Sequence, residues 1–175
     1  MSRDERVDVY DENKNKTGKT KIRFKDTFEP NEFIIGVQAI ILNSQNQILI
    51  SQRSKNEKVL PLKWECNGGA LASGETVLDG LHRELYEELG IHLDTEKAVF
   101  LKTALNPNTN IFKEIYLFRQ DISLNKIDFK DGEAQNAKWV TIDEFMKMFE
   151  EDQIVFNVNF DRADYERALN LLSDV

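Results

Sequence analysis

The chain holds one cysteine, Cys66, so no disulfide can form within it. The expected setting is the cytoplasm, where thiols stay reduced. Only three prolines and eight glycines occur in 175 residues, and they never gather with serine into a linker. One folding unit is therefore expected over 1–175, with about 1–30 as an N-terminal extension packed on it. No apolar run reaches membrane-spanning length, and the opening MSRDERVDVYDENKNK is too charged for a signal peptide. Basic residues are in deficit: 23 Lys and Arg face 31 Asp and Glu, a net charge of -8. That balance excludes the broad basic face that nucleic-acid binding requires. It also means that a polyphosphate would be repelled at long range, so any attraction must come from metal ions and a few placed cations. Internal repeats and low-complexity tracts are absent from the sequence.

Against these absences stands one dense segment, GALASGETVLDGLHRELYEELGI over Gly69–Ile91, which reads G-x5-E-x7-R-E-L-Y-E-E-L-G-I. Thr76 with Asp79 three positions on is a capping pair, and Gly90 is a left-handed stop, which sets a helix over Thr76–Leu89. Val77, Leu78, Leu81, Leu85 and Leu89 recur at helical spacing and form its core-facing stripe. Glu84, Glu87 and Glu88 stand i+3 and i+4 apart, so their carboxylates share one flank. Like charges so placed repel, and an acid at the margin of a core also loses water. A divalent cation is the natural compensation. Hard carboxylate donors with no His or Cys on that flank favour Mg2+ or Mn2+ over zinc; His82 lies on another side. Gly80, unfavourable in mid-helix by about 1 kcal/mol, leaves space near the glutamate flank for metal and phosphate. Glu75 and Arg83 are expected to pair and hold the preceding loop against the helix, a structural role.

This spacing resembles the complete signature of the Nudix hydrolase family, with every fixed position matched. The resemblance implies an α/β/α sandwich with a mixed central sheet. It also implies metal-dependent cleavage of a phosphoanhydride bond in a nucleoside diphosphate linked to another moiety: a nucleotide, an ADP-sugar or a related diphosphate. Carried over by motif position, Glu87 and Glu88 bind metal. Glu84 also lies on the metal and orients or deprotonates the water, and the carbonyl at Gly68 or Gly69 completes the coordination. Because the family also uses glutamates outside the motif, Glu114 and Glu133 are further candidates for the base, each equally readable as a surface acid. Arg53, ending a strand in ILISQRS, matches a phosphate-holding arginine of many family members or makes a surface salt bridge. Small-molecule diphosphates are the implied partners, with the chain a monomer or homodimer. A ligand-binding domain without catalysis is the alternative.

A looser resemblance, over VDVYDENKNKTGKT, ILISQRS and the KW before the motif, is to the Nudix branch of isopentenyl diphosphate isomerase. Counting back from Glu75, that enzyme's catalytic cysteine would fall at Gly68 and its metal-binding histidine at Ala70. Cys66 is out of register, so the resemblance implies an isomerase-like scaffold carrying hydrolase chemistry.

The flanks yield further expectations. Val7–Tyr10 and Lys19–Phe24 read as an N-terminal β-hairpin around DENKNKTG, and Ile34–Leu42 with Gln47–Arg53 as a second strand pair across NSQN. Ser54–Gly68 is a long loop with Lys55, Lys58, Lys63 and Trp64, suited to a substrate wall; Lys63 and Trp64 are its candidate substrate contacts. Trp139 reads as core and His92 as exposed. Strands follow over Ala98–Thr103, Glu114–Arg119 and Ala137–Val140, with 106–110 as a turn whose Pro107 gives weak support for an ADP-sugar substrate. Thr141 and Glu144 open a helix to Glu150, and a last helix over Asp161–Leu172 packs Tyr165, Ala168, Leu169 and Leu172 on the sheet.

Overall fold

The computed structural model describes residues 4–106, 109–155 and 159–173, so Pro107 lies outside the described residues. The chain opens with β1 (Arg6–Tyr10) and β2 (Lys16–Ile22), an antiparallel hairpin that forms its own two-stranded sheet. Asp11 closes its turn by accepting from the backbone N–H of Asn13 at 2.9 Å and Asn15 at 2.8 Å. The second strand starts and ends earlier than its composition suggests, because the ladder already pairs Tyr10 with Lys16 and Phe24 has left extended geometry at φ 65°. Tyr10 and Phe33 exchange backbone bonds of 2.8 and 2.9 Å, and Val7 packs on Ile34 and Ala70, which ties the hairpin to the main sheet.

That sheet runs in the order β5 (Trp64–Glu65), β4 (Ile48–Arg53), β3 (Ile34–Leu42), β7 (Ile111–Arg119), β6 (Val99–Asn106), with β8 (Ala134–Val140) also paired to β4. β3 and β7 are parallel from Ile34↔Ile111 to Leu42↔Arg119, whereas the other pairings are antiparallel, so the sheet is mixed as the resemblance implies. Every residue of β3 is buried, as a strand covered on both faces must be. Val37, Ala39, Ile41 and Phe118 face Leu81, Leu85 and Leu89 of helix α1 (Val77–Leu89). On the other face Ile40, Leu42, Ile115 and Leu117 meet Phe145 and Met148 of α2 (Ile142–Glu150) and Ala168 and Leu172, the second just past α3 (Arg162–Leu171). Capping boxes at Thr141/Glu144 and Asp161/Asp164 start the last two helices. No helix among the described residues is long and apolar enough to cross a membrane.

One expectation needs correction. β3 and β4 are not a continuous pair; they join only at Leu42↔Ile48. Beyond that point the edge of β3 is taken by the segment just before α1: Val37 N–H donates to Gly69 O at 2.8 Å, Ala39 N–H to Asn67 O at 2.9 Å, and Leu71 N–H to Ile35 O at 2.9 Å. β4 therefore splays from β3 and turns to β5 and β8, leaving a wedge at the sheet's centre.

The hairpin's seat is charged. Glu32 is buried and accepts from Lys21, from Glu29 N–H at 3.0 Å and from Lys19 at 3.0 Å, which together hold its carboxyl down at about 2. A depressed acid stabilises the fold above its ordinary value of 4.5 and loses that contribution as pH falls towards 2. Thermal melts of Glu32→Gln should show lower stability at neutral pH, with the gap to the parent closing through that window. A constant gap would contradict the assignment.

Candidate active site

The glycines before α1 determine where the acids come to rest. A Cβ on Gly68 would lie 2.0 Å from Val37 O, so only glycine lets the backbone approach β3 this closely. A Cβ on Gly69 would fall 2.2–2.6 Å from the carboxylate atoms of Glu84, so the space a side chain would fill is occupied by that carboxylate instead. Thr76 caps the helix, accepting from Asp79 N–H at 3.3 Å, and Gly90 ends it at φ 67°. Between these stops Arg83 is the organiser. Its Nε donates to Glu75 Oε1 at 2.6 Å, Nη2 to Glu75 Oε2 and to Ala70 O at 3.0 Å, and Nη1 to Glu84 Oε1 at 2.9 Å and Glu87 Oε2 at 3.5 Å. Glu75 in turn accepts from Ala72 N–H at 2.8 Å. Loop and helix are clamped by one guanidinium.

The role expected of Gly80 is corrected. A Cβ there would meet Leu71 Cδ1 at 2.5 Å, so the missing side chain admits Leu71 to the core and leaves no room for metal or phosphate.

Glu84 has a side chain only 12% exposed, and burial pushes its carboxyl up to about 7 against the pull of Arg83. Glu88 accepts from Asn67 Nδ2 at 2.6 Å, an amide that also donates to Ser51 Oγ at 2.8 Å. Burial raises Glu88 well above the ordinary range, and the charges of Glu84, Glu65 and Glu133 raise it further, while the Asn67 bond works the other way. Glu87 leans outward to Arg83. The three motif acids thus flank the wedge but do not converge; among the described residues no group of three or more His, Cys, Asp or Glu is arranged to hold an ion.

The remaining candidates separate. Glu133, before β8, belongs to the site's surroundings: its charge acts on Glu88 and Arg53, and its own carboxyl is raised by burial and by Asp131 and Glu57. Glu114 is buried on β7 and held by Lys14 at 2.7 Å and Thr103 at 3.0 Å, and it is not among the main charges acting on Glu88. Arg53 binds Glu65 at 2.9 Å, Glu57 at 2.8 Å and Val59 O at 3.0 Å. It lines a cavity of about 160 Å³ beside Gly68 and Gly69, together with Arg23, Glu65 and Lys113. Lys63 and Trp64 are not brought there. Gln52, the β4 residue paired with Trp64, alternates with Ser51, so Trp64 packs on the opposite face, where Lys138 covers its ring at 4.5 Å. Lys63 pairs with Asp152 in the same outer depression. Trp139 is partly buried against the α1-side core and donates to Ile122 O at 3.2 Å, and His92 is exposed. Sequence reasoning passed over Asn67 and Ser51, although Asn67 stands immediately before the two glycines.

The donor set fits a hard divalent cation: Glu84 and Glu88 offer carboxylate oxygens only, both are desolvated, and they repel one another. Cys66 offers no competing ligand or nucleophile, since burial pushes its thiol up to about 12.

Comparison with known proteins agrees with this fold. The family model described as NUDIX domain matches residues 32–158. An uncharacterized Nudix hydrolase of Listeria monocytogenes is 30% identical over 141 residues, covering 80% of this chain and 82% of the relative. The crystal structure of DR0079 from Deinococcus radiodurans superposes with a TM-score of 0.71 at 22% identity, over 96% of this chain and 99% of that one. A bifunctional NMN adenylyltransferase/ADP ribose pyrophosphatase from Francisella tularensis, complexed with AMP and a manganese ion, superposes with a TM-score of 0.58 at 24% identity, over 83% of this chain and 43% of that one.

Two outcomes follow. Replacing Gly69 by alanine should displace the Glu84 carboxylate and lower any turnover about a hundredfold, with the melting temperature changed far less; parent-like kinetics would show that this carboxylate's position is immaterial. The second concerns pH. The folded-state value of Glu84 is raised from 4.5 to about 7, so the unfolded chain gives up its proton first and the metal-free fold loses stability as pH rises through that interval. Melts in chelator should show that decline, and Glu84→Gln should lessen it.

Proposed function

The chain belongs to the Nudix hydrolase family, and from that premise we propose that it is a pyrophosphohydrolase requiring Mg2+ or Mn2+ that cleaves a phosphoanhydride bond in a nucleoside diphosphate linked to another moiety. The observation that carries the reading is the pair of desolvated, mutually repelling carboxylates, Glu84 against Gly69 and Glu88 on Asn67, beside a glycine turn that also lines a cavity with three cationic side chains. Glu84, Glu87 and Glu88 would hold the ion, with the carbonyl of Gly68 or Gly69 completing the shell. An ion bound there supplies positive charge against the oxygens of the phosphate being cleaved. The manganese and AMP in the Francisella neighbour support this choice of ion and of ligand class.

The chain's own residues do the rest. Arg83 keeps loop and helix in register, so that Glu84 stays beside Gly69. Asn67 fixes Glu88 from the far side. Arg53, steadied by Glu57 and Glu65, presents a cation to the cavity and holds substrate phosphate. Of the two acids outside the motif, Glu133 takes the base role ahead of Glu114, because it lies among the charges that act on Glu88 while Glu114 is engaged by Lys14 under the hairpin. Isomerase chemistry has no support: Gly68 and Ala70 stand where its cysteine and histidine would fall, and a Cβ at position 68 would strike β3.

A panel of nucleotide and diphosphate compounds with Mg2+, read by phosphate release, tests the proposal. Glu87→Gln and Glu88→Gln should each lower turnover by at least about a hundredfold. Saturable binding with no metal-dependent product would instead make the chain a ligand-binding module, and the allylic isomer appearing from isopentenyl diphosphate would make it an isomerase.

A further inference from the structure

The family model begins at residue 32, yet the hairpin before it reaches the cavity beside Gly68 and Gly69. Arg23, one residue past β2, lines that cavity with Gln38, Arg53, Glu65 and Lys113, so three cationic side chains meet one carboxylate along its wall. Glu5 sets Arg23 in place: the Arg23 N–H donates to Glu5 O at 2.9 Å, and Nη1 to the Glu5 carboxylate at 3.0 Å. Its charge acts on both Glu84 and Lys113. Gln38, 2% exposed, has only the weakly bonding Cys66 thiol beside its amide. A buried amide so poorly matched is a cost to the fold, and this one lines the cavity.

The next residue is out of keeping with its position. Phe24 is 80% exposed and held at φ 65°, a backbone conformation costly for an aromatic residue and free for glycine. The turn does not need it, because the bonds from Lys25 N–H and Asp26 N–H to Ile22 O, at 3.2 and 2.9 Å, are backbone bonds that any residue at position 24 would allow. Nor does burial reward it. Its ring instead lies 4.5 Å from the guanidinium carbon of Arg23. The ring thus rests on a cation that lines the cavity, and an exposed aromatic held in a costly conformation beside it suits a contact made to something else.

Taking the hydrolase reading as premise, we propose that Arg23 and Phe24 form a recognition pair for the part of the substrate that is not cleaved: the guanidinium grips an anionic phosphate in the cavity, and the exposed ring stacks on a planar ring attached to it, such as a nucleobase. A forked guanidinium suits phosphate, and an aromatic face accepts any base without hydrogen-bond selection. Affinity for the phosphate-linked ring is thus carried by the hairpin and not by the shared core.

Calorimetric titration of the full-length, Mg2+-supplemented protein with inorganic pyrophosphate and with ADP tests the pair. Phe24→Ala should weaken ADP about five- to tenfold and leave pyrophosphate within about twofold, because only ADP has a ring to stack. Arg23→Ala should weaken both about tenfold or more, and Arg23→Lys should recover pyrophosphate to within about threefold. A parent that binds neither probe overturns the proposal, as do variants that match the parent for both. Equal weakening of both probes by Phe24→Ala overturns the stacking role and points to hairpin geometry. Binding is read without turnover, so the two readings fail separately: an active parent with unaltered variants sinks the recognition pair alone, and the expected binding pattern in an inactive protein sinks the hydrolase alone.

Discussion

The architecture rests on how closely one stretch of backbone approaches β3. The bonds from Val37 and Ala39 to Gly69 and Asn67 put the segment before α1 where a neighbouring strand would otherwise lie. β4 is displaced as a consequence, and the wedge so opened receives Glu84, Glu88 and the cavity. Nothing bulkier than glycine at position 68 permits the approach, and nothing bulkier at 69 leaves Glu84 its place. The site is a product of two missing side chains.

Within that wedge, charge is in surplus and solvent in deficit. Arg83 is a single cation shared among Glu75, Glu84 and Glu87, and its bidentate bond with Glu75 is the stronger claim on it. Glu88 receives only a neutral amide. Coulombic repulsion between partly desolvated carboxylates is worth several times its value in water, so hydrogen bonds of this kind cannot offset it. Raised carboxyl values at Glu84, Glu88, Glu65 and Glu133 express the same imbalance four times over. An ion of charge +2 would reverse all of these terms together. The glutamates therefore make physical sense as a set.

How far this was legible from the sequence differs by residue. The span of α1, its caps and its buried leucines follow from local chemistry at Thr76, Asp79 and Gly90 and from spacing alone, and they agree with the structure. The Glu75–Arg83 contact is also local, eight residues apart on a short loop and helix. Gly80 was misread because helical spacing says which flank a residue faces but not what comes from elsewhere to meet it; Leu71 arrives from the loop. Lys63 and Trp64 lie away from the cavity beside Gly68 and Gly69 for a related reason. Their loop contains the short strand β5, whose pairing with β4 sends Trp64 to the other face. Pairings across the chain, such as β3 with β7 or segment 67–71 with β3, have no signature in either partner. Everything that depends on them, including the wedge, was out of reach.

The uneven charge of the chain now has a spatial meaning. Residues 1–31 carry eight basic and seven acidic side chains, so the net charge of -8 belongs wholly to the remainder. An acidic body that must receive a polyphosphate repels it everywhere except where positive charge is concentrated. β2 and the turn after it bring Lys16, Lys19, Lys21 and Arg23 to the body in sequence, and three of these are ion-paired to Glu32 or Asp8 within the hairpin and its seat. Arg23 is the member whose guanidinium reaches the cavity, where a ligand shares it with Glu5 and the Phe24 ring. The hairpin thus adds a third cation to the two, Arg53 and Lys113, that the acidic body itself brings to the cavity, and it does so from a segment whose own charges are nearly balanced.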